Sequence, residues 1–206
     1  MPLAERSRGN TDDLGAVVLA AGTSERMGHP KALLPWGGGT FFGEVVATIV
    51  AERIPVSVAV INPELATELA ELGEFTSVVY NGEPHLGQFH SLQMGLASLR
   101  EANWGISGFF LFLIDNPGQL RERTAALRHW LDRDRSLLLT AGHGGVPGHP
   151  LWIPRRLWKA IAAYRGPGGL HGFFDAEGEH PQVVETSAEA LRDVDTPEDF
   201  RGLPAY

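Results

Sequence analysis

The amino-acid sequence predicts an α/β fold: a single domain with a mostly parallel sheet and helices on both faces. Three observations predict it. Short apolar, β-branched or aromatic runs alternate along the chain with segments whose apolar residues recur at helical spacing. Residues 109–114 are apolar at every position, as a central parallel strand covered on both faces requires. The chain has 206 residues, enough for one well-buried core of this kind and short for two.

The elements follow in order. Residues 16–20 read as a first strand feeding a wide turn that carries Gly22 and Gly28. From Phe41, apolar residues at Phe42, Val45, Val46, Ile49 and Val50 mark the buried face of a helix. Val56–Ile61 is strand-like, Pro63 stands in the first turn of a helix running to Leu72, and Ser77–Tyr80 is the next strand. After a loop over 81–87, Phe89, Leu92, Leu96 and Leu99 line one face of a helix starting near Ser91. The strand at 109–114 delivers Asp115 at its carboxyl end. Helix is predicted over 121–130, strand over 136–141, helix over 154–164 and a short strand over 182–184. Thr196 as N-cap, Pro197 at the first helical position and the acids Glu198 and Asp199 open a last helix. Phe109 to Phe112, Trp152 and Trp158 read as core. Residues 1–13 are polar and mixed in charge and read as a flexible tail ahead of a domain over 14–206.

Repeated β-α units of this length imply parallel strands joined by right-handed crossovers, with ligands bound at the strands' carboxyl ends. That rule alone puts the loop after Ala20, the loop after Tyr80 and Asp115 on one rim.

Composition removes several function classes. The formal charge of -8 and a pI near 5.4 leave no basic stripe for a polynucleotide. No apolar run is long enough to cross a bilayer. With no cysteine there is no disulfide, thiolate nucleophile or cysteine metal site, which fits a cytoplasmic protein. Of 17 basic residues, Lys31 and Lys159 alone are lysine.

One of those two lysines stands in the first loop, Leu19-Ala20-Ala21-Gly22-Thr23-Ser24-Glu25-Arg26-Met27-Gly28-His29-Pro30-Lys31. Small residues after a strand let backbone N–H groups approach an anion, and Arg26 and Lys31 add the charge a triphosphate needs. A lysine here, in a chain that otherwise uses arginine, points to a site wanting a compact point charge. The spacing does not fit a dinucleotide fingerprint, because Gly22 and Gly28 are too far apart. It does not fit a P-loop either, because Gly28 is not followed by Lys-Ser or Lys-Thr.

The loop resembles the signature of the MobA-like NTP transferases, in which a first strand ends in Leu-Ala-Ala-Gly and continues through Arg-Met-Gly to Lys and Leu-Leu-Pro. The resemblance recurs in order at Asn81 to Gly87, Ser91-Leu92, Gly95-Leu96, Asp115 before Pro117, Gly148-His149-Pro150 and Asp193-Val194-Asp195-Thr196-Pro197. It implies a Rossmann-like nucleotidyltransferase fold and a Mg2+-dependent transfer from a nucleoside triphosphate to a phosphorylated small molecule, with release of pyrophosphate. It further implies that Leu19, Ala20, Ala21, Gly22 and Thr23, with Asn81 and Ser91, bind the nucleotide. Arg26 and Lys31 would contact the triphosphate, Asp115 and Asp195 would hold the metal, and His149 would touch the acceptor.

A phosphate monoester is already anionic at neutral pH, so such a transfer needs positioning and electrostatics but no dedicated general base. The Leu-Ala-Ala-Gly form resembles members that use CTP on the molybdopterin cofactor, whose partners include a transiently contacted molybdoenzyme. Ile114 and Asn116 around Asp115, and Gly166-Pro167-Gly168-Gly169, depart from the pterin-handling pattern. A sugar- or alditol-phosphate nucleotidyltransferase and a non-catalytic cofactor-binding chaperone are the alternatives.

Overall fold

The computed structural model describes residues 13–70, 75–101 and 105–203. Residues 1–12 of the expected tail and the end of the helix expected to reach Leu72 lie outside the described residues. Nine strands and seven α-helices are formed among the described residues: β1 (Leu14–Ala20), β2 (Pro35–Trp36), β3 (Gly39–Thr40), α1 (Phe41–Ala51), β4 (Val56–Ile61), α2 (Ala66–Ala70), β5 (Ser77–Tyr80), α3 (Gln88–Glu101), β6 (Gly108–Leu113), α4 (Leu120–Leu131), β7 (Leu139–His143), β8 (Val146–Pro154), α5 (Trp158–Ala163), α6 (Gly169–Glu177), β9 (Gln182–Glu185) and α7 (Pro197–Arg201). Seven strands make one sheet in the order β5-β4-β1-β6-β8-β7-β9, and β2 and β3 form a separate small hairpin.

The alternation of side chains along the central strands divides the core into two layers. On one face Ala16, Val18, Phe110 and Phe112 pack with Phe42, Val45 and Ile49 of α1 and Leu127 of α4. On the other, Val17, Leu19, Phe109 and Leu111 pack with Leu92, Leu96 and Leu99 of α3, Trp158 and Ile161 of α5, and Phe173 of α6. Helix α3 lies close to the sheet at Gly95, where an added Cβ would come within 2.8 Å of Val17. The expected core aromatics Phe109, Phe110, Phe112, Trp152 and Trp158 are all buried.

The predicted single-domain, mostly parallel α/β architecture is present, with β1, β4, β5 and β6 parallel. Local expectations are corrected at two places, the helix expected from Pro154 and Val50. Pro154 instead ends β8, which runs antiparallel to β6 and β7, and α5 begins at Trp158. The alternation of β8 is concealed by Pro147, Gly148 and Pro150. The segment Gly166 to Gly169 opens helix α6, with Gly168 in the left-handed region at its N-cap. Val50, expected on the buried face of α1, is 71% exposed, because it falls at the end of the apolar arc near the helix terminus.

From β1 the chain winds to β4 and β5 on one side, then returns to β6 on the other. The switch in direction opens a crevice at the carboxyl ends of β1 and β6.

Candidate functional site

Loop and strand chemistry build this crevice residue by residue. After β1, Met27, Ala32 and Leu34 turn inward and are buried, and Met27 and Leu34 pack with Phe41 and Val194. These anchors leave Arg26 and Lys31 on the outer side of the loop. Ser24, in the left-handed region at φ 55°, accepts a hydrogen bond on Oγ from the Lys31 backbone N–H at 3.0 Å. The loop is therefore closed on itself at the residue that carries its lysine.

A second segment comes from the far end of the chain. Val194 is fully buried and donates its N–H to the Asp115 carbonyl at 2.7 Å. This single bond stitches the exit of β6 to the extended Asp193-Val194-Asp195 segment. Thr196 and Asp199 form a reciprocal capping box on α7, and Asp199 also accepts from the Asp195 N–H at 3.0 Å. The backbone on both sides of Asp195 is thus fixed.

A cleft of about 370 Å³ is lined by Leu19, Ala21, Gly22, Arg26, Lys31, Ser91, Asp115 and Asp195, among others. The cation-bearing loop and both acids share this one rim. Lys31 Nζ donates to Asp195 Oδ1 at 2.5 Å, and Arg26 donates to Oδ2 at 2.9 Å. The Lys31 side chain is 13% exposed and that of Arg26 71%, so the lysine pair is the less screened and the stronger of the two. Hydrogen bonding to Lys31, reinforced by the two positive charges, holds the Asp195 carboxyl below the usual carboxylate range.

Asp115 is in the opposite condition. Burial first, then the negative charge of Asp193, pushes its carboxyl up to about 6, with Lys31 pulling the other way. Its Oδ1 is buried with no hydrogen-bond partner. Asp193 is raised as well, by burial first and by Asp195, although the Asn116 amide donates to it at 3.1 Å. Three acids therefore crowd the β6 exit, with Lys31 as the cation common to their surroundings. A buried carboxylate oxygen without a donor, beside further acids, is the environment a hard divalent cation with oxygen ligands relieves.

The other expected site residues distribute unevenly. Thr23 lines the cleft, as do Ala21, Gly22 and Leu19. Ala20 is buried beneath it and does not line it. Asn81 lies behind the lining: it is buried, donates to Ser91 Oγ at 2.9 Å and accepts from the Glu83 N–H at 2.8 Å. Asn81 is thus brought to the site through Ser91. His149 stands apart from this cleft and lines an adjoining cavity of about 930 Å³, with Phe89, Leu92, Leu151, Phe174 and Asp193. The two cavities share the edge at Leu19, Gly87 and Gln88. No lysine or arginine lines the larger one among the described residues. Burial, then the charge of Arg123, pushes the His149 imidazole down to about 4, so it is neutral at physiological pH.

Sequence reasoning does not reach Gln88, Asp193, Asn116 or Arg123 as parts of the site. Asp193 had a signal, since an Asp-Val-Asp run in extended chain puts both acids on the side opposite the buried valine. Asn116 and Arg123 had none, because their roles depend on contacts made across the fold.

The raised Asp115 carboxyl sets a pH dependence. Its folded value of about 6 lies above the ordinary 3.8, so the folded state binds the proton more tightly and loses stability as pH rises between those values. In chelator-treated protein, the Tm of Asp115→Asn relative to wild type should rise from pH 4 to about 6 and level off above it, a total change equivalent to about 1–3 kcal/mol. A difference independent of pH would contradict the burial of this carboxyl.

Comparison with known proteins agrees with this geometry. The chain matches the family model of the MobA-like NTP transferase domain over residues 16–183. It is 26% identical over 190 residues to the molybdenum cofactor cytidylyltransferase of Escherichia coli (strain K12), covering 91% of this chain and 93% of that one. Among solved structures, Rv0371c from Mycobacterium tuberculosis H37Rv superposes with a TM-score of 0.74 at 24% identity, over 93% of this chain and 97% of its own. The same protein in complex with manganese gives 0.69 at 25% identity, over 92% and 96%. The family model matches most of the chain, including the cation-bearing loop and Asp115: this chain belongs to the MobA-like NTP transferase family and is a nucleotidyltransferase of that type.

Proposed function

We propose that the protein transfers a cytidylyl group from CTP to the phosphate of molybdopterin cofactor and releases pyrophosphate. The observation that carries this reading is the pair of adjoining cavities. One bears Arg26, Lys31 and the acids, and the other is larger, largely apolar and without a lysine or arginine among the described residues. Polyphosphate belongs in the first. The second suits the uncharged, flat body of an acceptor whose phosphate reaches the shared edge at Leu19, Gly87 and Gln88. An alditol phosphate, small and hydroxyl-rich, would leave much of that apolar wall uncovered.

In this reading the backbone of Leu19, Ala21, Gly22 and Thr23 holds the base and phosphates over the buried Ala20, and Ser91, seated by Asn81, supports them from α3. Asp115 and Asp195 would hold Mg2+. The unpartnered Asp115 Oδ1 fits a hard cation, and no three His, Asp or Glu side chains among the described residues are placed to hold a metal by themselves. The remaining positions would fall to phosphate and water oxygens, the usual habit of Mg2+. The manganese complex of Rv0371c supports a divalent ion in this fold. When bound, the metal supplies charge neutralisation at the phosphates.

The chain's own groups do the rest. An oxygen of the acceptor phosphate attacks the α-phosphorus in line, the new P–O bond forms, and the bond to the bridging oxygen breaks as pyrophosphate leaves. Lys31 and Arg26 stabilise the charge growing on the leaving group. Neutral His149 offers the acceptor a hydrogen bond without adding charge to its cavity. The preference for CTP is supported by the similarity to the Escherichia coli cytidylyltransferase and by the Leu-Ala-Ala-Gly form of the first loop, whose Ala21 lines the cleft.

Asp115→Asn and Asp195→Asn should each lower pyrophosphate release from CTP and molybdopterin by at least about 10²-fold while the chain stays folded. Full partner activity without turnover in these variants would instead mark a cofactor-binding chaperone. In a thermal-shift panel of CTP, GTP, UTP, ATP and dTTP, CTP with Mg2+ at about 100 times its Kd should stabilise the protein by about 2.7 kcal/mol. Equal shifts with every nucleotide, or a preference for GTP, would contradict cytidylyl transfer.

A further inference from the structure

Arg123 of α4 is 1% exposed, and its side-chain hydrogen bonds among the described residues all end on backbone carbonyls. One goes to Asn116 at 2.8 Å, one to His149 and one to Gln119 at 3.4 Å. Burying a cation is costly, and the charges of Glu189, Asp193, Glu122 and Glu44 offset that cost without hydrogen-bonding to the guanidinium. The position of the two distant carbonyls explains its presence. The antiparallel ladder between β6 and β8 ends at Leu111 and Leu151, and beyond it the strands separate. Asn116 follows the metal-binding candidate Asp115 on one side of that gap, and His149 faces the larger cavity on the other. Pro117 and Pro150 follow them, so neither segment has the next N–H available to bridge the gap. Asn116 is itself buried and held by the Ala190 carbonyl at 3.0 Å, so it transmits a displacement without absorbing it.

We propose that Arg123 is a positioning residue that fixes the distance between the nucleotide half of the site, at Asp115, and the acceptor half, at His149. The inference rests on the transferase reading. Its role is to hold the acceptor phosphate in line with the α-phosphorus, where a displacement of about 1 Å costs on the order of 10²-fold in rate.

The test uses Arg123→Met, which keeps length and loses every donor, and Arg123→Lys, which keeps the charge and one bridging bond. NMR of 15N-histidine-labelled full chain, with His149 assigned by His149→Gln, reads the clamp. In wild type, CTP and Mg2+ bound in the first cleft should shift the His149 imidazole resonance in the second. An unshifted resonance, with CTP binding evident from thermal shift, overturns the proposal in the unaltered protein. In Arg123→Met, kcat should fall by about 10²-fold with KM for CTP changed by less than about threefold, and Arg123→Lys should recover part of the loss. A lowered Tm with unchanged kcat makes Arg123 a structural residue only and rejects the clamp. If no nucleotide stabilises wild type, the transferase reading fails on that result. The clamp is then judged on the ligand-free spectrum, where Arg123→Met must move His149 and an unmoved signal rejects it.

Discussion

Both oxygens of Asp195 are taken by cations, Oδ1 by Lys31 and Oδ2 by Arg26, and this arrangement governs the state of the cleft. In the proposed function each partner has a second use. Among the described residues Lys31 and Arg26 are the only lysine or arginine side chains lining the cleft, and Asp195 is one of the two acids that would hold a divalent ion. If Asp195 holds a metal and Lys31 and Arg26 hold phosphate, as proposed, these pairs occupy the oxygens and neutralise the charges that the ligands would use, and a polyphosphate bound with its metal would relieve both conditions together. Burial of Lys31 makes its pair with Asp195 the stronger of the two restraints.

Topology explains how groups 164 positions apart in sequence come to share a bond. The reversal of winding between β4 and β6 places the ends of β1 and β6 side by side. The first loop then carries Lys31 over the rim, and the buried Val194 pins the Asp193 to Asp195 segment to the Asp115 carbonyl. Val194 packs with Met27, Leu34 and Phe41, so the hydrophobic anchors of the cationic loop and of the acidic segment are one cluster. Loosening that cluster would move both halves of the ion pair at once. The three acids at the β6 exit repel one another, and Lys31 stands among them as the shared counter-charge.

Much of this was legible in the sequence, for identifiable reasons. The apolar run of β6 and the apolar spacing of α3 are local patterns with local causes, and the rule that ligands collect at strand ends converts them into a rim. The glycine-bearing loop with its unusual lysine, and the Thr-Pro-Glu-Asp start of α7, are likewise readable without coordinates. What escaped depends on distant contacts. Strand β8 pairs antiparallel with two partners and is interrupted by Pro147, Gly148 and Pro150, which read as turn residues. Asn81 carries a motif residue's identity but lies behind the cleft and hydrogen-bonds to the lining Ser91, a relation of burial that spacing does not express. Arg123 resembles any other arginine on a basic helix until its carbonyl partners are seen.

The interlock between the cations and Asp195 is tested most directly by Mn2+ binding, followed by electron paramagnetic resonance, with and without CTP. Metal binding should be weak in the protein alone and tighten at least about tenfold with nucleotide, and by linkage Mn2+ should tighten CTP by the same factor. Lys31→Met, which releases one Asp195 oxygen, should strengthen Mn2+ binding in the absence of nucleotide. Equal Mn2+ affinity with and without CTP, unaltered by Lys31→Met, would contradict the account.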